Sequence, residues 1–372
     1  MKVALVHDYI KEFGGAERVL KVLTEIYPKA PIYTAFYIRN SDAGREFKNF
    51  TIYESKLALI IKHGRLYSPL RFLLPWIWKS HDLTKYDLVI SSCSNYIARG
   101  FKVGESASRR TKVIAYCHTP PRFLYGFKTG MDWQKYWPVR IYGNIIAHFL
   151  RIFDYKSAQK IDHWIANSEN VSARIQKFYH KKSTVIYPPV NVSEIITASE
   201  GIEKQNFFLI ASRITGAKGL EEAVRAFKKI KVPLKIVGGT AGFTNIKSNL
   251  EKQGEGYVEF LGRVDDDALW KLYAMAKGFV ALARDEDFGM TVVESQAAGT
   301  PVIAFNGGGF KESVVNGKTG ILIDDTDAKT IQKAINKLNR TKWSKRALQN
   351  NAKRFSKEKF VSKISLFVNT HA

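Results

Sequence analysis

The sequence predicts an α/β protein built from two doubly wound domains in tandem, and three observations carry that prediction. Short apolar runs alternate with longer segments along the chain, as buried parallel strands alternate with helices. At 372 residues the chain is longer than one domain usually runs. A two-proline stretch, Tyr187-Pro188-Pro189-Val190-Asn191, breaks the alternation near the middle, and strand character resumes at Phe207. The interdomain linker is therefore expected between residues 187 and 205.

Taken in order, the first half opens with a strand over Val3 to His7, a glycine turn at Gly14-Gly15, and a helical pattern from Ala16 to Ile26. Strand-like runs follow at Leu88 to Ser91, Val113 to Tyr116 and Trp164 to Ala166, each bounded by polar or turn residues. Beyond the linker the runs are Phe207 to Ala211, Leu234 to Val237, Val258 to Leu261, Gly278 to Ala281 and Val302 to Phe305, with a helix over Leu220 to Ile230. Phe360, Ile364, Phe367 and Val368 are spaced as on one face of a closing helix. The division expected is residues 1–190, residues 191–354, and a final helix over 355–372 that packs back on the first domain. In such folds ligands bind at the carboxyl ends of the strands, here expected to face a central cleft.

Composition narrows the function. Apolar residues make up 45% and charged residues 25%, which supplies material for two cores. Two cysteines, Cys93 and Cys117, make neither a disulfide framework nor a zinc site and suggest a reducing compartment. The apolar run after Met1 stops at Asp8, too soon for a signal peptide. No window reaches the roughly 18 apolar residues of a spanning helix; the nearest, Leu66 to Trp78, is broken by Pro69, Arg71 and Pro75. The expected location is cytoplasmic, at the surface of a membrane if on one at all. Of the net charge of +24, residues 1–190 carry +16 and residues 191–372 carry +8. The first half should thus face something anionic: nucleic acid, acidic lipid or a diphosphate.

Four groups of residues could carry chemistry. The stretch Asp285-Glu286-Asp287-Phe288-Gly289-Met290-Thr291-Val292-Val293-Glu294 sets two glutamates eight positions apart around the start of a helix. Carboxylates accept from sugar hydroxyls, and a helix N-terminus offers N–H groups and a positive dipole end to phosphate. Arg213 and Lys218 lie on a strand-to-helix turn, where both could reach a diphosphate. Gly14-Gly15-Ala16-Glu17 follows the first strand; it is not G-x-G-x-x-G, so a dinucleotide fingerprint is not supported. Tyr116-Cys117-His118-Thr119-Pro120-Pro121-Arg122 closes another strand. Each has a plainer reading as well: a solvated face, a basic turn, a tight turn, a structural histidine.

The string Glu286-Asp287-Phe288-Gly289 followed by Val293-Glu294-Ser295-Gln296-Ala297-Ala298-Gly299-Thr300-Pro301-Val302-Ile303-Ala304-Phe305 resembles the E-x7-E signature of glycosyltransferase family 4, retaining enzymes of the GT-B fold, and is especially similar to its O-antigen mannosyltransferase branch. Ser295 stands where that branch has alanine. The resemblance implies that Glu286 contacts donor-sugar hydroxyls and Glu294 the ribose, with the amides of Phe288, Gly289 and Met290 holding the sugar. It implies Arg213 and Lys218 on the leaving diphosphate, Gly15 at a phosphate, the Val264 backbone at the base, and His118 beside the transferred sugar. Arg122 is a candidate for an anionic acceptor. It further implies a nucleotide-sugar donor such as GDP-mannose, a glycan or lipid-linked acceptor bound by the first domain, retention of configuration, no metal and no cofactor.

Two features stay open at this level. Asp265-Asp266-Asp267 contains the D-x-D of metal sites in another glycosyltransferase fold, but precedes a helical run, where an aspartate is expected as a cap. Lys56 to Lys79 mixes Lys62, Arg65 and Arg71 with Phe72, Trp76 and Trp78, which suits an anionic membrane surface or a covered helix with a snorkelling rim. Rival functions are a nucleic-acid-binding protein, for which no module is recognisable, an oxidoreductase, which lacks its glycine fingerprint, and a nucleotide-sugar epimerase or phosphorylase of the same architecture.

Overall fold

The computed structural model describes residues 1–62, 67–106, 109–127, 136–240 and 246–372; Arg65 of the basic–aromatic segment lies outside them. The described residues divide into two compact units, one within 1–127, 136–189 and 360–372, the other within 190–359.

The first unit is a parallel sheet of seven strands: β1 (Val3–His7), β2 (Ile32–Thr34), β3 (Ile52–Glu54), β4 (Leu88–Cys93), β5 (Lys112–Cys117), β6 (His163–Ala166) and β7 (Thr184–Val185). Their spatial order is β3-β2-β1-β4-β5-β6-β7. Alternate residues of β1 feed two different cores. Ala4 and Val6 pack with Val89, Val113 and Trp164 on one face, Leu5 with Ile90, Ile114 and Ile165 on the other. A sheet buried on both faces must be covered by helices on both sides. Phe360, Ile364, Phe367 and Val368 complete the second of those cores.

The second unit is a six-stranded parallel sheet of β8 (Phe208–Ala211), β9 (Leu234–Val237), β10 (Val258–Gly262), β11 (Gly278–Ala281), β12 (Val302–Phe305) and β13 (Gly320–Ile323), in the order β10-β9-β8-β11-β12-β13. Helices Leu220–Ile230 and Ala328–Arg340 lay Val224, Phe227, Ile331 and Ile335 against Phe208, Ile210 and Ile303. In both sheets the order reverses beside the first strand, which makes a switch point where neighbouring loops diverge and leave room for a ligand.

The segment expected as a linker is not plain connection. It holds a helix, Val192–Ala198, whose Val192 and Ile195 are buried, because two apolar residues three apart give a short helix a packed side. The Asp265 carboxylate accepts the Ala268 N–H at 2.8 Å and caps the helix Asp266–Met275.

A long helix, Trp137–Gln159, is apolar on two sides. Ala147, Leu150 and Ala158 are buried, while Trp137, Ile141, Ile145, Phe149 and Ile152 are exposed. Its inner side is fastened by Asp154, fully buried, which pairs with the buried Arg99 guanidinium and accepts the Tyr125 hydroxyl at 2.6 Å. Arg99 in turn lies over the rings of Trp164 and Tyr179, at 5.1 and 5.0 Å. Removing either charge would leave the other buried without its partner, a loss of roughly 3–5 kcal/mol.

Candidate functional site

In the second unit the expected residues gather at the carboxyl ends of β8, β11 and β12. Arg213 is exposed just beyond β8, and Lys218 ends the short turn Gly216–Lys218 that leads into helix Leu220–Ile230. Gly219, at φ +68°, lets this turn approach β11 so closely that a Cβ would stand 2.7 Å from the Leu282 backbone oxygen. The loop after β11 carries Glu286, and Lys218 Nζ donates to Glu286 Oε2 at 2.7 Å. Two residues singled out for different partners, a diphosphate and a sugar, are thus bonded to each other across the switch point between β8 and β11.

Behind Glu286 stands a feature the sequence reading passed over, the run Gly307-Gly308-Gly309 after β12. The Gly309 N–H donates to the Glu286 carbonyl at 2.9 Å. A Cβ on Gly309 would lie 2.4 Å from the Asp287 oxygen, and one on Gly308 would lie 2.3 Å from the Glu286 oxygen. Only glycine allows two backbones to run this close, so the run fixes where the Glu286 loop sits. Phe288 is buried edge-on to Phe355, and Gly289, at φ +87°, precedes the helix Met290–Ala297, facing the Phe310 ring. The first N–H groups of that helix have no intrahelical acceptor. Glu294, one turn further in, is buried, and the Tyr273 hydroxyl donates to its Oε2 at 2.8 Å. Val264 is half-buried beyond β10, two strands from β8.

In the first unit Gly15, His118 and Arg122 lie at the carboxyl ends of β1 and β5, with β4 between them. Gly14 caps the helix Gly15–Ile26, and its N–H donates to Glu17 Oε2 at 2.9 Å. His118 Nε2 is 2.8 Å from Ser92 Oγ, and its carbonyl accepts from Asn167 at 2.9 Å. Burial, with His7 adding to it, pushes the His118 imidazole down to about 3, so the ring is neutral at ordinary pH. Arg122 starts a single turn of tight helix, its N–H 3.4 Å from Asn95 Oδ1. Asp8 accepts the N–H groups of Tyr96 and Ala98 at 2.9 and 3.2 Å and holds the loop after β4; burial raises its carboxyl, against the pull of His7. Cys93 and Cys117 are buried, adjacent in register on β4 and β5, and unbridged.

Comparison with known proteins matches one family over each part of the chain. The family described as Glycosyltransferase Family 4 matches residues 13–194, and the one described as Glycosyl transferases group 1 matches residues 192–355. The chain belongs to glycosyltransferase family 4. This glycosyltransferase is 26% identical to the alpha-1,3/1,6-mannosyltransferase ALG2 of Dictyostelium discoideum, over 74% of this chain and 72% of that protein. It is 27% identical to the O-antigen chain mannosyltransferase C of Escherichia coli, over 52% of this chain and 56% of that one. With several curated relatives the match thus spans little more than half of the relative's length. Among solved structures, HepE of Anabaena in complex with UDP and glucose superposes with a TM-score of 0.71 at 18% identity, covering 99% of both chains. The two Rossmann-like units of the glycosyltransferase are those of the GT-B fold.

Proposed function

We propose that this glycosyltransferase moves a hexose, mannose from GDP-mannose in the first instance, onto a glycan or lipid-linked acceptor of a cell-surface polysaccharide or glycolipid, with retention of configuration and without a metal ion. The observation that carries the reading is the Lys218–Glu286 pair seated beside a helix N-terminus at the switch point of the second unit. Breaking a sugar–phosphate bond adds negative charge to the departing diphosphate and positive charge to the sugar. Arg213, Lys218 and the amides of Gly289 and Met290 oppose the first, in the role a metal has elsewhere. A diphosphate arriving beside Lys218 competes with Glu286 for the ammonium and frees the carboxylate for sugar hydroxyls. Glu294, held by Tyr273, takes the ribose, and Val264 the base. Because the glutamates bind hydroxyls, neither has to act as nucleophile or acid, and attack comes from the face the phosphate leaves.

In the first unit Gly15 contacts a phosphate, His118 the transferred sugar and Arg122 an anionic acceptor. This unit also supports an address on the inner, anionic face of the cytoplasmic membrane. Helix Trp137–Gln159 exposes 68% of Trp137 and 63% of Phe149. The exposed charges on it are Arg140, Arg151 and Lys156, all basic. Leu59, Ile60 and Trp76 add further exposed apolar surface. An apolar strip rimmed only by cations suits acidic lipid, and a net charge of +24 opposes docking on a second copy. Among the described residues no helix is long and apolar enough to cross a membrane.

A second donor class has its own support, since HepE was solved with UDP and glucose. Thermal-shift titration with GDP-mannose, UDP-glucose and an ADP-sugar tests both, because a bound donor raises the melting temperature. A selective rise with GDP-mannose followed by mannosyl transfer is expected; a rise with UDP-glucose alone transfers the reading to the second class. No rise with any of the three overturns it.

A further inference from the structure

Three strand ends of the first unit carry an unbroken line of polar side chains. Glu17 Oε2 accepts the Gly14 N–H, and Glu17 Oε1 lies 3.4 Å from His7 Nε2. His7 Nδ1 is 3.0 Å from Ser92 Oγ, and Ser92 Oγ is 2.8 Å from His118 Nε2. All four side chains are buried. We propose that Glu17, His7 and Ser92 are positioning residues that hold His118 as its Nε2–H tautomer, so that Nδ1 meets a bound sugar as a hydrogen-bond acceptor.

The assignment follows from counting protons. A neutral imidazole has one N–H and one bare nitrogen, a carboxylate only accepts, and a hydroxyl has a single proton to give. Glu17 already accepts from Gly14, so its contact with His7 Nε2 requires the proton on that nitrogen. A His7 ring carrying that proton alone is bare at Nδ1, and the Ser92 hydroxyl must then donate there. Ser92 Oγ is left with lone pairs alone, so His118 Nε2 must be the donor to it. His118 Nδ1, which has no hydrogen-bond partner among the described residues, stays bare. Because burial keeps this ring neutral, the tautomer, and not a charge, decides what it can bind. A bare nitrogen accepts from a hydroxyl and repels a phosphate or carbonyl oxygen. Reversing the line requires a proton added at Glu17 or His7.

That the hydroxyl belongs to a sugar rests on the proposed function; the tautomer does not. The test is long-range proton–nitrogen NMR of the full chain labelled with 15N-histidine near neutral pH, the His118 signals being assigned by their loss in His118→Gln. A pyridine-type Nδ1 with a pyrrole-type Nε2 is expected. Ser92→Ala should shift both nitrogens toward a tautomer average at unchanged melting temperature and lower kcat/KM about tenfold, the worth of one buried hydrogen bond. Ser92→Thr, which keeps the hydroxyl, should restore both. Adding GDP-mannose or UDP-glucose, and separately a mannose oligosaccharide, assigns the hydroxyl to donor or acceptor according to which moves the Nδ1 signal. A protonated Nδ1 in the parent protein, or an identical tautomer in Ser92→Ala, overturns the proposal; so does a transferring enzyme whose Nδ1 responds to neither sugar. A protein that transfers nothing yet shows the expected tautomer refutes only the proposed function.

Discussion

Acidification should unfold this protein through two buried histidines, and the size of the effect can be worked out. His81, 4% exposed, sits 3.2 Å from the Thr34 carbonyl, and burial lowers its imidazole to about 4. His118 is lowered to about 3 by the same cause. Both unfold to an ordinary histidine with a pKa of about 6.5. Below that value the unfolded chain takes up protons that the folded chain refuses. Stability is therefore complete above it and lost as pH falls toward the folded values. Between about pH 7.5 and about pH 5 each histidine should cost about 2 kcal/mol, about 4 kcal/mol together. Asp8 and Asp154 act in the opposite sense, because burial raises their carboxyls and the folded chain then binds protons more readily. Single variants separate the two contributions. Urea unfolding at both pH values should show the acid-induced loss shrink by about 2 kcal/mol in His81→Gln and again in His118→Gln. If the loss is the same in both variants as in the parent, burial of these rings does not govern acid stability.

Glu286→Ala should reduce transfer at least about a hundredfold while nucleotide binding persists, since it removes the bonds to the sugar and leaves Lys218, its hydrogen-bond partner, to the diphosphate; steady-state kinetics with calorimetry of the free nucleotide checks it. Gly309→Ala has no adverse backbone angle to blame, yet its methyl meets the Asp287 and Phe288 backbone at 2.4 Å. It should cost about 1–3 kcal/mol of stability and lower kcat by displacing the Glu286 loop, as melts and rates on the same sample would show. Transfer should survive EDTA, and complete loss that magnesium restores would reject cation side chains as the metal's substitute. Sedimentation with liposomes should show binding to acidic and not to neutral vesicles, weakened by salt and by Ile141→Asp, and equal binding to both would remove the electrostatic part.

The central strands were legible because full burial leaves continuous apolar runs, as in Leu88 to Ile90 and Val113 to Tyr116. Of the four edge strands of the two parallel sheets, Val258–Gly262 was read and the other three were not. Ile52-Tyr53-Glu54 is short and partly exposed, too brief for any period to declare itself. Helix Trp137–Gln159 escaped for the opposite reason, since residues apolar on two sides blur the stripe that marks an ordinary surface helix. At the site, Glu286 and Lys218 were found through local motifs, but their bond to each other spans 68 positions and no local pattern encodes it. Tyr273, Ser92 and Gly307–Gly309 belong to none of the motifs singled out in the sequence. Each matters through a neighbour distant in sequence, which only the strand order brings near.

One consequence concerns how the chain is made. Among the described residues the second unit is a continuous run, while the first draws Phe360, Ile364, Phe367 and Val368 from beyond it. On a ribosome the second unit can close as soon as it emerges, whereas the first must wait with an open apolar face until Phe360 to Val368 have emerged as well. That interval, and not the finished protein, is when binding by a chaperone matters most.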